Sequence, residues 1–202
     1  DAGVLKRDVD GVLVHAGFFL GPKSFYRRLR EMAPEQLAKI QMTAVSFTNQ
    51  LYGDEGKKRA ARVGARFVNS AMMATLMGAV ISDGLEDGRV VSGVGGQYNF
   101  VEQAFALPDA RAVIMLGATR TAGGKTTSNI RWVYGHQTIP RHLRDIIVTE
   151  YGVAYRRGRA EQEGSAAMLC IADSRYQPEL MQAAKDAGKL PRGYEIPAAH
   201  RD

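Results

Sequence analysis

RVVSGVGGQYNFVEQAFALPDARAVIMLGATR, residues 89–120, decides the fold. RVV reads as the end of a strand. Three glycines in four positions, Gly93, Gly95 and Gly96, then turn the chain sharply, since glycine alone enters left-handed backbone at no steric cost. A helix follows and stops near Pro108, and RAVIMLGATR (111–120) is the clearest strand of the sequence. Strand, glycine turn, helix and strand in that order make a βαβ-type unit, in which the peptide N–H groups at the helix start lack intrahelical acceptors. They offer a place for an anion or a developing oxyanion, although a plain tight turn has the same spacing.

Outward from this unit the pattern repeats. GVLVHAGFFLG (11–21) reads as a buried strand. Pro22 suits a helix start, and Phe25, Leu29 and Met32 share one helical face. Pro34 ends that helix, and PEQLAKIQM has another turn or two. AVSFTNQLYGD (44–54) reads as a strand ending at Gly53, and EGKKRAARVGA as a helix-prone connection. ARFVNSAMMATLMGAVISDG (65–84) is divided: its Met and Ala content favours helix, its β-branched ends and Gly78 favour two strands and a turn. TAGGKTTSN (121–129) reads as a polar glycine loop, RDIIVTEYGVA (144–154) as a buried strand and turn, and 161–172 and 177–187 as closing helices. Strands alternating with amphipathic helices predict an α/β layered fold. No repeat, low-complexity tract or linker marks a boundary, so residues 1–190 read as one domain and 191–202 as a flexible tail. Residues 1–6 read like the end of a helix, as in a fragment of a longer protein.

Bulk properties narrow the function. With 202 residues, 45% hydrophobic and 24% charged, the chain can bury a full core. No apolar run approaches the ~20 residues of a membrane span. A basic leader with an apolar h-region is missing from the N-terminus, and the one cysteine, Cys170, reads as a small buried hydrophobe rather than half of a disulfide; a cytoplasmic protein is expected. The net charge of +6 admits an anionic ligand or a nucleic acid. His15, His136, His142 and His200 fit no zinc spacing, so no metal is expected.

Several motifs carry partial signals. A dinucleotide fingerprint needs a third glycine where Tyr98 stands. GGQ is also the tripeptide of translation release factors, but there it lies on a flexible basic loop, whereas here it joins an apolar strand to a helix. GATRTAGGKTT (117–127) would be a P-loop if Thr119 were glycine. VTEYGVA (148–154) places Glu150 at a strand end, where α/β sheets bind ligands or where a carboxylate can cap a neighbouring element.

Taken together, FVNSAM (67–72), SGVGGQYNF (92–100), TAGGKTTSNI (121–130) and VTEYGVA resemble the acetyl-CoA hydrolase/transferase C-terminal domain of the class I CoA-transferases, over residues 11–189. The resemblance implies a layered α/β/α sandwich with a mixed, largely parallel sheet, like the NagB/RpiA/CoA-transferase fold, and it places MMATLMGAV in a β-hairpin. It implies CoA transfer between small carboxylates, acetate among them, or hydrolysis of acyl-CoA, through a glutamyl-CoA thioester. Coenzyme A is then a substrate, with no permanently bound cofactor. Gly95 or Gly96 would give an N–H to the oxyanion, the Asn69 amide would help hold it, and Glu150 would orient the site. Gly93, Gln97, Thr121 and Lys125 would contact CoA. The nucleophilic glutamate of the family lies in an S/T-E-M-type motif found nowhere in residues 1–202, so it would belong to an N-terminal domain; a homodimer is also compatible. The alternatives are a non-catalytic CoA-binding or degenerate homologue and an RNA- or ribosome-associated GGQ protein. Two departures stand out: Asn99 replaces a common family Asp, and Tyr155-Arg156-Arg157-Gly158 replaces Asp-Leu-Arg-Gly.

Overall fold

A computed structural model describes residues 8–201; the helix end read at residues 1–6 lies outside them. The chain divides into two compact units, residues 1–63 and 64–202, at a boundary that no linker-like composition marks.

The first unit pairs two short strands, β1 (Val14–Ala16) and β2 (Ile40–Met42), in parallel. Between them lie α1 (Lys23–Arg30) and α2 (Pro34–Leu37). Pro22 precedes α1 and Pro34 opens α2, positions where the missing N–H and fixed φ favour a helix start. The strand expected over 11–21 shrinks to three half-buried residues, with Phe18 and Leu20 exposed. Residues 44–54 correct the sequence reading: they form the helix α3 (Val45–Asn49), followed by α4 (Glu55–Ala61). The reason lies in tertiary context. The buried Lys58 of α4 donates to the carbonyls of Gln50 (2.9 Å) and Tyr52 (2.8 Å) just past α3, and its ammonium lies 5.3 Å from the Phe47 ring centre. A cation at a helix C-terminus satisfies carbonyls that β-branched propensity would have used in a sheet.

The second unit is built on a four-stranded sheet. Its strands begin with β3 (Arg66–Ser70), followed by β4 (Met73–Thr75), β5 (Val80–Ile81), α5 (Gln97–Ala106) and β6 (Arg111–Met115). Next come β7 (Thr119–Ala122), β8 (Lys125–Ser128), β9 (Ile130–Arg131), β10 (Ile146–Thr149) and β11 (Gly152–Tyr155). The helices α6 (Glu161–Cys170) and α7 (Gln177–Asp186) close the unit. The main sheet runs β11-β10-β6-β3, parallel across β3, β6 and β10, with β11 antiparallel at one edge. The fold is therefore mixed α/β with a largely parallel sheet. A smaller sheet, β5-β4-β9, settles the divided reading of 65–84 in favour of strands.

Period-two alternation sorts the main sheet into two faces. Phe67, Ala112, Ile114, Ile147 and Ala154 point to one face and are buried. There Phe67 meets Phe100 of α5 edge-to-face at 5.5 Å, and α6 packs on β11. The opposite face carries Val68, Met115, Val153 and Tyr155, all exposed. Within this unit, helices thus cover the main sheet on one side.

Two further readings change. RVV (89–91) is not a regular strand: Val90 makes a single bridge to Gly84 and is 74% exposed. The polar loop over 121–129 is the β7–β8 hairpin, turning at Gly123-Gly124, since a Gly-Gly pair fits the two-residue hairpin turn. The segment after α7, read from sequence as a flexible tail, buries Ile196 and accepts a hydrogen bond from Gln177 Nε2 at the His200 carbonyl (2.6 Å). One apolar anchor in a polar segment gives too little periodicity to be seen.

Candidate functional site

The parallel strands β3, β6 and β10 end together. Ser70 pairs with Met115, and Met115 with Val148, so the residues just beyond share one edge of the sheet. This carboxyl edge is where open α/β sheets bind ligands. Asn69, Ser70, Gly117, Ala118 and Glu150 all lie along it, with Asn69 on β3 and Glu150 just past the end of β10, two strands away.

The glycine turn meets this edge at β3. Gln97, the first residue of α5, is buried, and its Nε2 donates to the Ser70 carbonyl at 2.8 Å. The side chain is therefore turned inward, unlike the exposed glutamine of a flexible GGQ loop. Gly95 has φ 58° and Gly96 caps the helix. Among the described residues, the N–H groups of Gly95 and Gly96 have no backbone acceptor, so they add donors to the positive end of the α5 dipole. Asn69 lies on the α5 face of the sheet, in line with Phe67. Its Nδ2 is buried and unpaired, as is Gln97 Oε1. A buried amide donor without a partner costs roughly 1–3 kcal/mol and is worth keeping where a ligand completes it. Gly93, Val94 and Gly95 are exposed, so the turn is open to an incoming group.

Asp83 steadies the approach to the turn. Its carbonyl accepts the N–H groups of Val91 (2.7 Å) and Ser92 (3.2 Å). Its carboxylate takes hydrogen bonds from Thr138 Oγ1 and, at 2.9 Å, from His136 Nε2. These bonds, Thr138's first, hold the Asp83 pKa below the usual carboxylate value. No sequence signal links Asp83 to residues more than fifty positions away.

The TEYG stretch works as a clamp. Thr149 Oγ1 donates to the Ile171 carbonyl (2.7 Å), and Tyr151 OH donates to Asp173 (2.9 Å). Glu150 Oε2 accepts the Ala118 N–H at 2.8 Å, at the root of the β7–β8 hairpin. Asn129 Nδ2 holds the adjacent Gly117 carbonyl from the other side (2.8 Å). Asp173, buried against Arg175 and Tyr151, has its pKa pushed down to about 2, chiefly by the hydrogen bonds from Arg175. Asp173 has no motif to reveal its role, and Asn129, though it lies in TAGGKTTSNI, is given no role by that stretch.

The candidate residues thus fall into two groups on one edge. Asn69, Gly93, Gly95, Gly96 and Gln97 gather at the end of β3. Glu150 supports the hairpin that carries Thr121 and Lys125. Thr121 Oγ1 pairs with Thr126 Oγ1 at 2.9 Å, and Lys125 is exposed near the hairpin tip. Among the described residues, no group of three or more His, Cys, Asp or Glu side chains could hold a metal ion, and no helix is long and apolar enough to cross a membrane. Cys170 is half-buried, and burial raises its thiol pKa.

The model of the acetyl-CoA hydrolase/transferase C-terminal domain matches residues 21–184. The chain belongs to this family. It is 31% identical over 121 residues to a probable butyrate:acetyl-CoA coenzyme A-transferase of Syntrophomonas wolfei, covering 58% of this chain and 27% of that protein. It is 33% identical over 123 residues to a 4-hydroxybutyrate coenzyme A transferase of Clostridium kluyveri, covering 58% and 28%. The crystal structure of RipA from Yersinia pestis superposes with a TM-score of 0.63 at 28% identity, covering 77% of this chain and 34% of that one. The chain spans about a quarter of the length of these two curated relatives.

Proposed function

We propose that this acetyl-CoA hydrolase/transferase domain supplies the oxyanion-binding half of a CoA-transfer site, with acyl-CoA and a small carboxylate as substrates. The observation that carries the proposal is the unpaired, buried Nδ2 of Asn69 beside a glycine turn with free N–H groups. A glutamate from the remainder of the protein attacks the thioester carbonyl. The carbonyl oxygen takes up the negative charge, and Asn69 Nδ2 with Gly95 or Gly96 N–H stabilises it. Collapse expels the CoA thiolate and leaves an acyl-glutamyl anhydride. The thiolate then attacks the glutamyl carbonyl, releasing the first carboxylate and forming the glutamyl-CoA thioester. An incoming carboxylate reverses these steps; attack by water would give hydrolysis instead.

Gln97 fixes the turn to β3, and Glu150 orients the hairpin from which Thr121 and Lys125 reach the CoA phosphates. Such a site operates in the cytoplasm, where CoA esters are made and used. The exposed apolar face bearing Val68, Met115, Val153 and Tyr155 fits burial against the remainder of the protein, whose N-terminal domain would also exclude water from the turn. The test is exchange of labelled acetate into acetyl-CoA by the protein that carries these residues, with borohydride trapping of the glutamyl-CoA adduct. Exchange and a trapped adduct are expected. CoA-ester binding without either would indicate a non-catalytic CoA-binding protein.

A further inference from the structure

A cavity of about 410 Å³ lies at the edge of the main sheet opposite the glycine turn. Ile146 of β10 pairs with Tyr155 of β11 at that edge, whereas Thr149 and Gly152 meet at the carboxyl edge. The cavity is lined by Arg141, Arg144, Arg156, Arg157, Arg159 and Glu161. Five guanidinium groups face one carboxylate, and Glu161 is already paired with Arg141 and, at 2.7 Å, with Lys189. Arg157 is committed as well: it bridges to Asp145 at 2.8 Å and lies 3.9 Å from the Phe105 ring centre.

Arg156 differs from its neighbours. It is 1% exposed, and its Nη1 donates to the Leu76 carbonyl at 3.0 Å, but its Nε and Nη2 are buried without partners. Its guanidinium lies over Gly164 of α6, where a Cβ would come within 2.7 Å of Cζ. Glycine at that place makes room for the charge. Burial, and then the neighbouring Arg144, push the Arg156 pKa down to about 10. A buried cation facing like charges, with unpaired donors, is costly unless an anion completes it.

We infer that this arginine cavity is a second anion site, taking a multiply charged oxyanion of the phosphate or diphosphate class. The guanidinium fork suits such ligands because it donates two parallel hydrogen bonds to neighbouring oxygens. The inference does not rest on the CoA-transfer reading, because the cavity shares no residue with the carboxyl edge.

The experiment titrates the chain with pyrophosphate and inorganic phosphate at fixed ionic strength, by calorimetry and thermal melting. Saturable binding and a rise in Tm are expected. Arg144→Gln and Arg159→Gln should each weaken pyrophosphate binding by about tenfold, the scale of one charge-assisted hydrogen bond. Arg156→Leu should abolish binding without lowering the melting temperature of the free chain, since an apolar side chain replaces a buried charge well. If that variant does not fold, the Arg144→Gln/Arg159→Gln double variant decides. Heat that merely follows ionic strength, or pyrophosphate binding unchanged in these variants, would overturn the assignment. Displacement of pyrophosphate by CoA would identify a nucleotide tail as the source of the phosphates, and persistence of pyrophosphate a separate phosphorylated compound. Either result supports the site.

Discussion

Gln97 Nε2 donates to the Ser70 carbonyl at 2.8 Å, and this one bond fastens the glycine turn to the strand end that carries Asn69. The amide that begins α5 and the amide proposed to hold an oxyanion are thereby set by the same strand. Gln97→Ala leaves this link unmade, and should lower stability by about 1–2 kcal/mol. Urea denaturation of the chain measures it. A midpoint equal to that of the unmodified chain would mean the link does not hold the turn.

The two exposed glycines of the turn should respond differently. A Cβ at Gly93 or Gly95 meets nothing within 4 Å, but Gly95 has φ 58°. The penalty at Gly95 is conformational, about 1–2 kcal/mol for a residue with a Cβ. Gly95→Ala is therefore expected to lower the denaturation midpoint, and Gly93→Ala to leave it nearly unchanged.

Acid should release the TEYG clamp through Asp173. Its folded pKa, about 2, lies below the ordinary 3.8. A depressed carboxylate pKa contributes stability that is fully present above the unfolded value and is lost as pH falls toward the folded one. Stability should thus fall between about pH 4 and pH 2 with a slope that Asp173→Asn reduces. Equilibrium denaturation at a series of pH values reads this slope, and an identical slope in both proteins would remove Asp173 as its source.

Val153 and Met115 are 46% and 42% exposed on the uncovered sheet face. Replacing both by Lys should change the stability of the chain by less than about 1 kcal/mol, as at other surface positions. If the proposed burial of this face against an N-terminal domain holds, association with that domain, produced separately, should be abolished. Pull-down of that domain at wild-type yield by the double variant would place the interface elsewhere.

Legibility in the sequence followed the reach of each interaction. RAVIMLGATR announced β6 because its apolar run is local, and the α5 start was visible because glycines punctuate the backbone. Residues 44–54 were misread because Lys58, in the next helix, settles which carbonyls are satisfied. RVV failed as a strand because propensity cannot supply a pairing partner. At the site, the motifs bring Asn69 and the glycine turn into view, but Gln97, expected from the resemblance to contact CoA, turns inward and donates to the Ser70 carbonyl, a link no motif announces. The supports from Asp83, Asn129 and Asp173 join distant segments through single polar groups, which leave no periodic trace. Arg156 is the reverse case: its departure from the family pattern was readable, but its burial over Gly164 needed three dimensions.

The proposed role of the Asn69 amide is tested most directly by the turnover of acetyl-CoA:carboxylate exchange in the protein carrying Asn69→Ala. Loss of a preplaced oxyanion donor should lower kcat by about 10²–10³ with little change in KM for acetyl-CoA. Exchange at the unmodified rate would contradict the account.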